Sequence, residues 1–143
     1  MAAITDVSRE VHFVPDEEEG NPCYTWLGVK VVADTSTVQV AIDDYRSCCE
    51  YYGVYAYLPD EHLDLQVHAD LERLRTWLVG ATLHAVAWDD RFPLPHRYGM
   101  NTAPVRLTTD RGVLHLVPWC EHNGSYPHIV RVAWSGYTDT QCL

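Results

Sequence analysis

Residues 46–53 read Arg-Ser-Cys-Cys-Glu-Tyr-Tyr-Gly, which puts two adjacent thiols, a carboxylate, a guanidinium and two phenols into eight positions. Three chemistries are open to such a stretch: metal ligation, thiol nucleophilicity, or packing of a small apolar side chain. In an extended strand, neighbouring side chains point to opposite faces, so Cys48 and Cys49 share one metal only if the chain turns there. A zinc set would need further ligands, and Cys120 with His122 offers an i, i+2 pair for one face of a strand. The weak metal candidates are therefore Cys48, Cys49, Cys120 and His122, and no C-x-x-C spacing supports them. A reactive thiol needs a neighbouring base and a lowered pKa. Arg46 is the only basic residue close by in sequence, so a histidine would have to come from a distant strand. A disulfide between adjacent cysteines is strained and disfavoured in a reducing compartment. The plainest reading is that one cysteine is a small buried hydrophobe. Val38, Val40 and Ile42 set an inward parity which, continued without a bulge, turns Cys48 inward and Cys49 outward at the end of a strand.

The same region is rich in tyrosine. Tyr45, Tyr51, Tyr52, Tyr55 and Tyr57 crowd beside Arg46, a make-up that suits a protein-binding hot spot or stacking on a nucleobase. It also suits a half-buried sheet rim. A second stretch, Trp-Cys-Glu-His-Asn-Gly-Ser-Tyr at 119–126, combines an anchor-type aromatic with a turn former. The candidate ligand- or partner-binding residues are Arg46, Cys48, Cys49, Glu50, Tyr51, Tyr52, Trp119, His122, Asn123 and Tyr126. No catalytic residue and no cofactor is assigned: a nucleophile elbow, a P-loop, a dinucleotide fingerprint and a zincin helix are all missing. Asp43-Asp44 and Asp89-Asp90 end predicted strands and have the chemistry to hold Mg²⁺, but strand-end aspartates more simply bond their own backbone in turns. His84 and His115 fall within predicted strands, where a structural role is expected.

The elements that must position these groups are mostly strands. An early strand is expected within residues 3–14, then an acidic exposed loop at 16–22. "YTWLGVKVVA" and "STVQVAIDDY" flank Asp34-Thr35 as a hairpin with period-2 alternation. Val67, Leu71, Leu74 and Leu78 are spaced 4, 3 and 4, which predicts an amphipathic helix near 68–79, with Asp70 at its start and Gly80 at its end. "ATLHAVAWDD" reads as a strand and 91–101 as a proline-containing loop. "APVRLTT" and "GVLHLVPW" form a hairpin across Asp110-Arg111-Gly112, and "HIVRVAW" follows the Asn123-Gly124 turn. The expected fold is a single α+β domain over 1–143, a mostly antiparallel sheet of seven or eight hairpin-connected strands with one helix.

Composition narrows the partners. The net charge of −10 argues against direct nucleic-acid binding, which needs a basic face. No run of about 18 apolar residues exists to span a membrane, and the N-terminus lacks a secretory pattern, so a cytoplasmic setting with five free thiols is expected. Lys30 stands alone against nine arginines, a bias that fits a GC-rich genome such as an actinobacterium or its phages.

Cys-Cys-Glu after an early hairpin, Leu-x-Gly-Ala-Thr-Leu-His-Ala-Val at 78–86 and Trp-Cys-Glu-His-Asn-Gly-Ser-Tyr at 119–126 resemble a family of small phage-encoded proteins of unknown function. That family carries an Asn-Gly-Tyr-Tyr-like turn, and here Ser125 replaces one aromatic. The resemblance spans about residues 24–135 and implies a setting, not a reaction. The expected function is a non-enzymatic phage accessory protein that binds a host or defence-system factor in the host cytoplasm. The rivals are a binder of a nucleotide-derived signal using Arg46 or Arg97, a cysteine- or metal-dependent enzyme, and a virion component. Homo-oligomerisation is left open.

Overall fold

The computed structural model describes residues 2–13, 25–44, 51–94, 100–121 and 128–143. Among the described residues there are eleven strands and one helix: β1 (Ala2–Ser8), β2 (Trp26–Ala33), β3 (Thr37–Asp43), β4 (Tyr51–Leu58), β5 (Glu61–Asp64), α1 (His68–Leu78), β6 (Thr82–Trp88), β7 (Met100–Thr102), β8 (Val105–Thr109), β9 (Gly112–Glu121), β10 (Ile129–Trp134) and β11 (Tyr137–Cys142). An α+β, sheet-dominated fold is thus present. The strand count exceeds the expected seven or eight because β5, β7 and β11 are short or polar and carry little alternation of their own.

Every pairing is antiparallel, and hydrogen bonding runs β11-β10-β3-β2-β1-β6-β8-β9-β4-β5, with β7 also on β9. The ladder folds over at β1. Ala2 and Ala3 pair with β6, whereas Ile4 to Ser8 pair with β2, and the register shifts between Ile4 and Asp6. A bulge of this kind bends a strand and lets it serve two layers. The layer β1-β2-β3-β10-β11 then faces the layer β6-β8-β9-β4-β5, with β3 packed on β4 and β9.

Alternation decides which side chains fill the space between. Val38, Val40 and Ile42 on β3 are fully buried, as their period predicts, and meet Val29 and Val31 of β2 with Val54, Ala56, Leu114 and Leu116 from the facing layer. Gly28 sits where β2 crosses Ala41: a Cβ there would lie 2.2 Å from the Val40 carbonyl oxygen, so only glycine fits. Helix α1 covers one flank through Leu71, Leu74 and Leu78, all buried. Burying three leucines removes enough apolar surface to contribute roughly 1.5–3 kcal/mol each. Its exposed side is tied down as well, since the Arg75 guanidinium donates twice to the Val7 carbonyl at 2.7 and 3.1 Å. The helix ends at Leu78, and just past its Val79 cap Gly80, with a φ of +91°, takes the left-handed conformation that glycine reaches without strain.

One boundary is corrected. The first strand ends at Ser8 rather than near residue 14, and the following residues cross the outer face of β3, where the Gln39 amide donates to and accepts from the His12 backbone at 2.8 Å. Strand β3 ends at Asp43, with Val38, Val40 and Ile42 buried on the inward side as expected. The Cys-Cys pair, expected at a strand end with Cys48 inward and Cys49 outward, lies outside the described residues. The acidic run at 16–22 lies outside the described residues. No helix among the described residues is long and apolar enough to cross a membrane.

Candidate functional site

Two pairs of strands follow one another in sequence across the two layers: β3 is followed by β4, and β9 by β10. Residues 45–50 and 122–127 between them lie outside the described residues. Because β3 neighbours β10 and β4 neighbours β9, the four described strand ends, or stems, meet at one end of the sandwich. The β4–β9 register sets Tyr51 opposite Glu121 and Tyr52 opposite Cys120, while Ile42 of β3 lies opposite Val130 of β10. The two motif stretches singled out in the sequence are therefore adjacent where their described residues meet.

Side chains lock the stems together. The Tyr52 hydroxyl donates to Asp44 Oδ1, joining the two ends of the 45–50 segment. Asp43 Oδ1 lies 2.7 Å from His128 Nδ1, joining the first segment to the second across 85 residues of sequence. The Tyr52 ring tilts over the His128 ring at 4.8 Å, and the Gln66 amide donates to the Tyr52 carbonyl at 3.2 Å. The His128 backbone pairs in both directions with Leu143, at 2.8 and 3.2 Å. Asp43 and His128 are both buried, with side-chain exposures of 5% and 1%. Burial holds the Asp43 carboxyl above its ordinary value of 3.8, against the opposing pull of His128 and of the Ile129 N–H. A polar pair taken so far from water must be mutually satisfied, which fixes both stems.

Tyr51 is the side chain left outside this lock, 69% exposed beside buried Trp119 and half-buried Tyr52. Tyr55 and Tyr57 serve a different purpose. They lie on the outer face of β4 in a line of rings: Trp119 on Tyr55 at 4.9 Å, Tyr57 on His62 at 4.5 Å, and Phe92 on His115 at 3.7 Å. That line ends in an Asp89–His115 pair at 2.8 Å flanked by Arg106. The Trp119 indole N–H is buried with no hydrogen-bond partner among the described residues, beside the space that Gly53 leaves next to Gln66.

Of the sequence candidates, Tyr51, Tyr52 and Trp119 are at this end of the sandwich. Cys120, the described member of the metal set, faces inward and is fully buried. Arg46, Cys48, Cys49, Glu50, His122, Asn123 and Tyr126 lie outside the described residues, as do Tyr45 and Arg97. Among the described residues no group of three or more His, Cys, Asp or Glu could hold a metal ion. Sequence reasoning missed Gln66 and His128, and noted Asp43 and Asp44 only as strand-end aspartates outside the candidate set. Asp43 and Asp89 do accept local backbone bonds, from the N–H of Asp43 itself and of Arg91, and each in addition holds a histidine from another strand or its stem. The doubled aspartates ending two strands were the one local signal for this, and nothing in the sequence named their partners. Compared with known proteins, the chain matches no family model, no curated protein and no solved structure.

Proposed function

We propose that this chain is a non-enzymatic accessory protein of a phage, which binds a host or defence-system protein through the end of the sandwich where segments 45–50 and 122–127 begin. The supporting observation is the locking of all four stems by Asp43–His128, Asp44–Tyr52 and the Tyr51–Glu121 register, with Tyr51 exposed at its rim. Recognition segments carried on a rigid scaffold bind with less ordering cost than free ones. An exposed tyrosine beside a tryptophan is the usual composition of a hot spot. The candidate contact residues of the two segments, from Arg46 to Glu50 and from His122 to Tyr126, belong to this proposal, as does the host cytoplasm as its setting.

The test compares two exposed tyrosines at opposite ends of the fold. Affinity capture from host lysate uses the native chain, Tyr51→Arg and Tyr137→Arg, Tyr137 being 61% exposed beyond the β10–β11 turn. One stoichiometric host protein is expected with the native chain and Tyr137→Arg, and lost with Tyr51→Arg. A partner that survives Tyr51→Arg, or no partner across several hosts, overturns the reading.

The buried Asp43–His128 pair also favours a second reading, thiol chemistry. A carboxylate orienting an imidazole is the base-and-orienter half of a cysteine-dependent site, and Cys48 and Cys49 follow Asp43 by five and six residues. On this reading, alkylation of one of the two cysteines near neutral pH slows at least tenfold in His128→Gln. Equal rates in both proteins remove it.

A further inference from the structure

A cleft of about 500 Å³ opens between helix α1, the β4–β5 hairpin and the β8–β9 turn, away from the stems described above. Its volume falls in the range of small-molecule sites. Leu58 and the half-buried Trp77 indole give it apolar surface.

The cleft's four charged side chains, Glu61, Glu72, Arg73 and Arg111, balance in number but not in pairing. Arg73 is taken by Glu61 at 2.5 Å, and Glu72 by Arg75 at 3.4 Å. Arg111 has no carboxylate partner among the described residues. Its Nη1 donates to the carbonyls of Trp77 at 2.7 Å and Val79 at 3.0 Å, the last turn of α1. Those two bonds hold the guanidinium in place and leave the Nε–H and both Nη2 N–H groups unpartnered among the described residues. Nε and Nη2 form the side-on edge of a guanidinium, the geometry that grips a carboxylate or phosphate through two parallel hydrogen bonds. The close approach depends on Gly80, where a Cβ would come within 3.0 Å of Arg111 Nη2. A pre-positioned guanidinium with no carboxylate partner among the described residues, lining the same cleft as the Trp77 indole, suits an anion that carries a flat ring.

We propose that this cleft binds a nucleoside monophosphate, its base against Trp77 and its phosphate on the Nε/Nη2 edge of Arg111. This site is independent of the loop-end surface, and either can fail without the other.

The test is calorimetric titration of the full chain with each of the four 5′ nucleoside monophosphates, and with the matching nucleosides and inorganic phosphate. At least one monophosphate is expected to bind saturably, at least tenfold more tightly than its nucleoside or phosphate alone. Trp77→Leu and Arg111→Lys should each weaken it at least tenfold, the lysine keeping the charge but losing the two-pronged edge. Gly80→Ala, which displaces Nη2, should weaken it too, while Tyr51→Arg should leave it unchanged. Far-ultraviolet circular dichroism identifies variants that fail to fold, and the indole N–H resonance of Trp77 in the native protein reports the contact without mutation. No saturable binding by any monophosphate at millimolar concentration, an unmoved Trp77 resonance, or affinity indifferent to both Trp77→Leu and Arg111→Lys overturns the proposal.

Discussion

Two aspartate–histidine pairs with almost the same separation, 2.7 Å for Asp43–His128 and 2.8 Å for Asp89–His115, sit in opposite electrostatic circumstances. The first is sealed between the layers. The second lies on the outer face of the sheet, where Asp89 keeps 21% of its side-chain surface and Arg106 stands 3.5 Å away. Burial is the largest influence on Asp43 and raises its pKa. The His115 hydrogen bond is the largest influence on Asp89 and lowers its pKa, with the charges of His115 and Arg106 acting in the same direction. Identical partners therefore produce opposite proton affinities, and access to water decides the sign. A fully buried pair is expensive to break and fixes its surroundings; a pair that keeps some contact with water costs less to break.

The sharpest break in this comparison is His128→Ala. It strands a buried carboxylate and should cost about 3–5 kcal/mol in urea unfolding. A loss no larger than that of an average surface substitution would place Asp43 in contact with water. Next, a double-mutant cycle over Asp43→Ala and His128→Ala should show the double variant less damaged than the two singles added, by roughly 0.5–3 kcal/mol. Strict additivity would mean that the two residues act separately. Tyr52→Phe keeps the ring over His128 and removes the hydroxyl bond to Asp44, so about 1–2 kcal/mol should be lost. Asp89→Asn should have the smallest effect on stability at neutral pH.

The two aspartates also respond to acid on opposite sides of pH 3.8, their ordinary value. Asp43, with its raised folded pKa, contributes stability that is full below 3.8 and is lost as pH rises through that raised value. Asp89, with its lowered folded pKa, contributes stability present above 3.8 and lost as pH falls through the lowered value. Unfolding measured from about pH 6 to pH 2 should therefore separate the variants. Relative to the native chain, Asp43→Asn should lose more stability on acidification above 3.8, and Asp89→Asn should lose less below it. Parallel curves for both variants would cancel the distinction between the pairs.

What was legible in the sequence was local. The helix at His68–Leu78 matches its 4-3-4 spacing, and β2 with β3 and β8 with β9 match their alternation and turn residues. Strand β4 was readable in Val54, Ala56 and Leu58, but its interleaved tyrosines drew attention to recognition instead. Strand β11, Tyr-Thr-Asp-Thr-Gln-Cys, has no apolar alternation. It is specified by its neighbour β10 and by the Ser135-Gly136 turn, whose φ values of 51° and 77° suit a tight hairpin. The Asp–His pairs were beyond reach for a plainer reason: their members are 85 and 26 residues apart, and only the folded register brings them together.

That separation has a consequence in time. The stems draw on Asp43, Asp44, Tyr51 and Tyr52 and on Cys120, Glu121 and His128, and β3 cannot meet its neighbour β10 until residues 129–134 have been made. Contacts so distant in sequence form slowly, because the loop between them must be closed before any pairing repays the lost entropy. On a ribosome the β2–β3 hairpin can form early, yet Asp43 must wait for His128 while some eighty further residues are synthesised. The end of the molecule proposed to meet a partner is thus among the last parts to take shape, so a chain truncated before residue 128 would carry the first recognition segment without the lock that holds it.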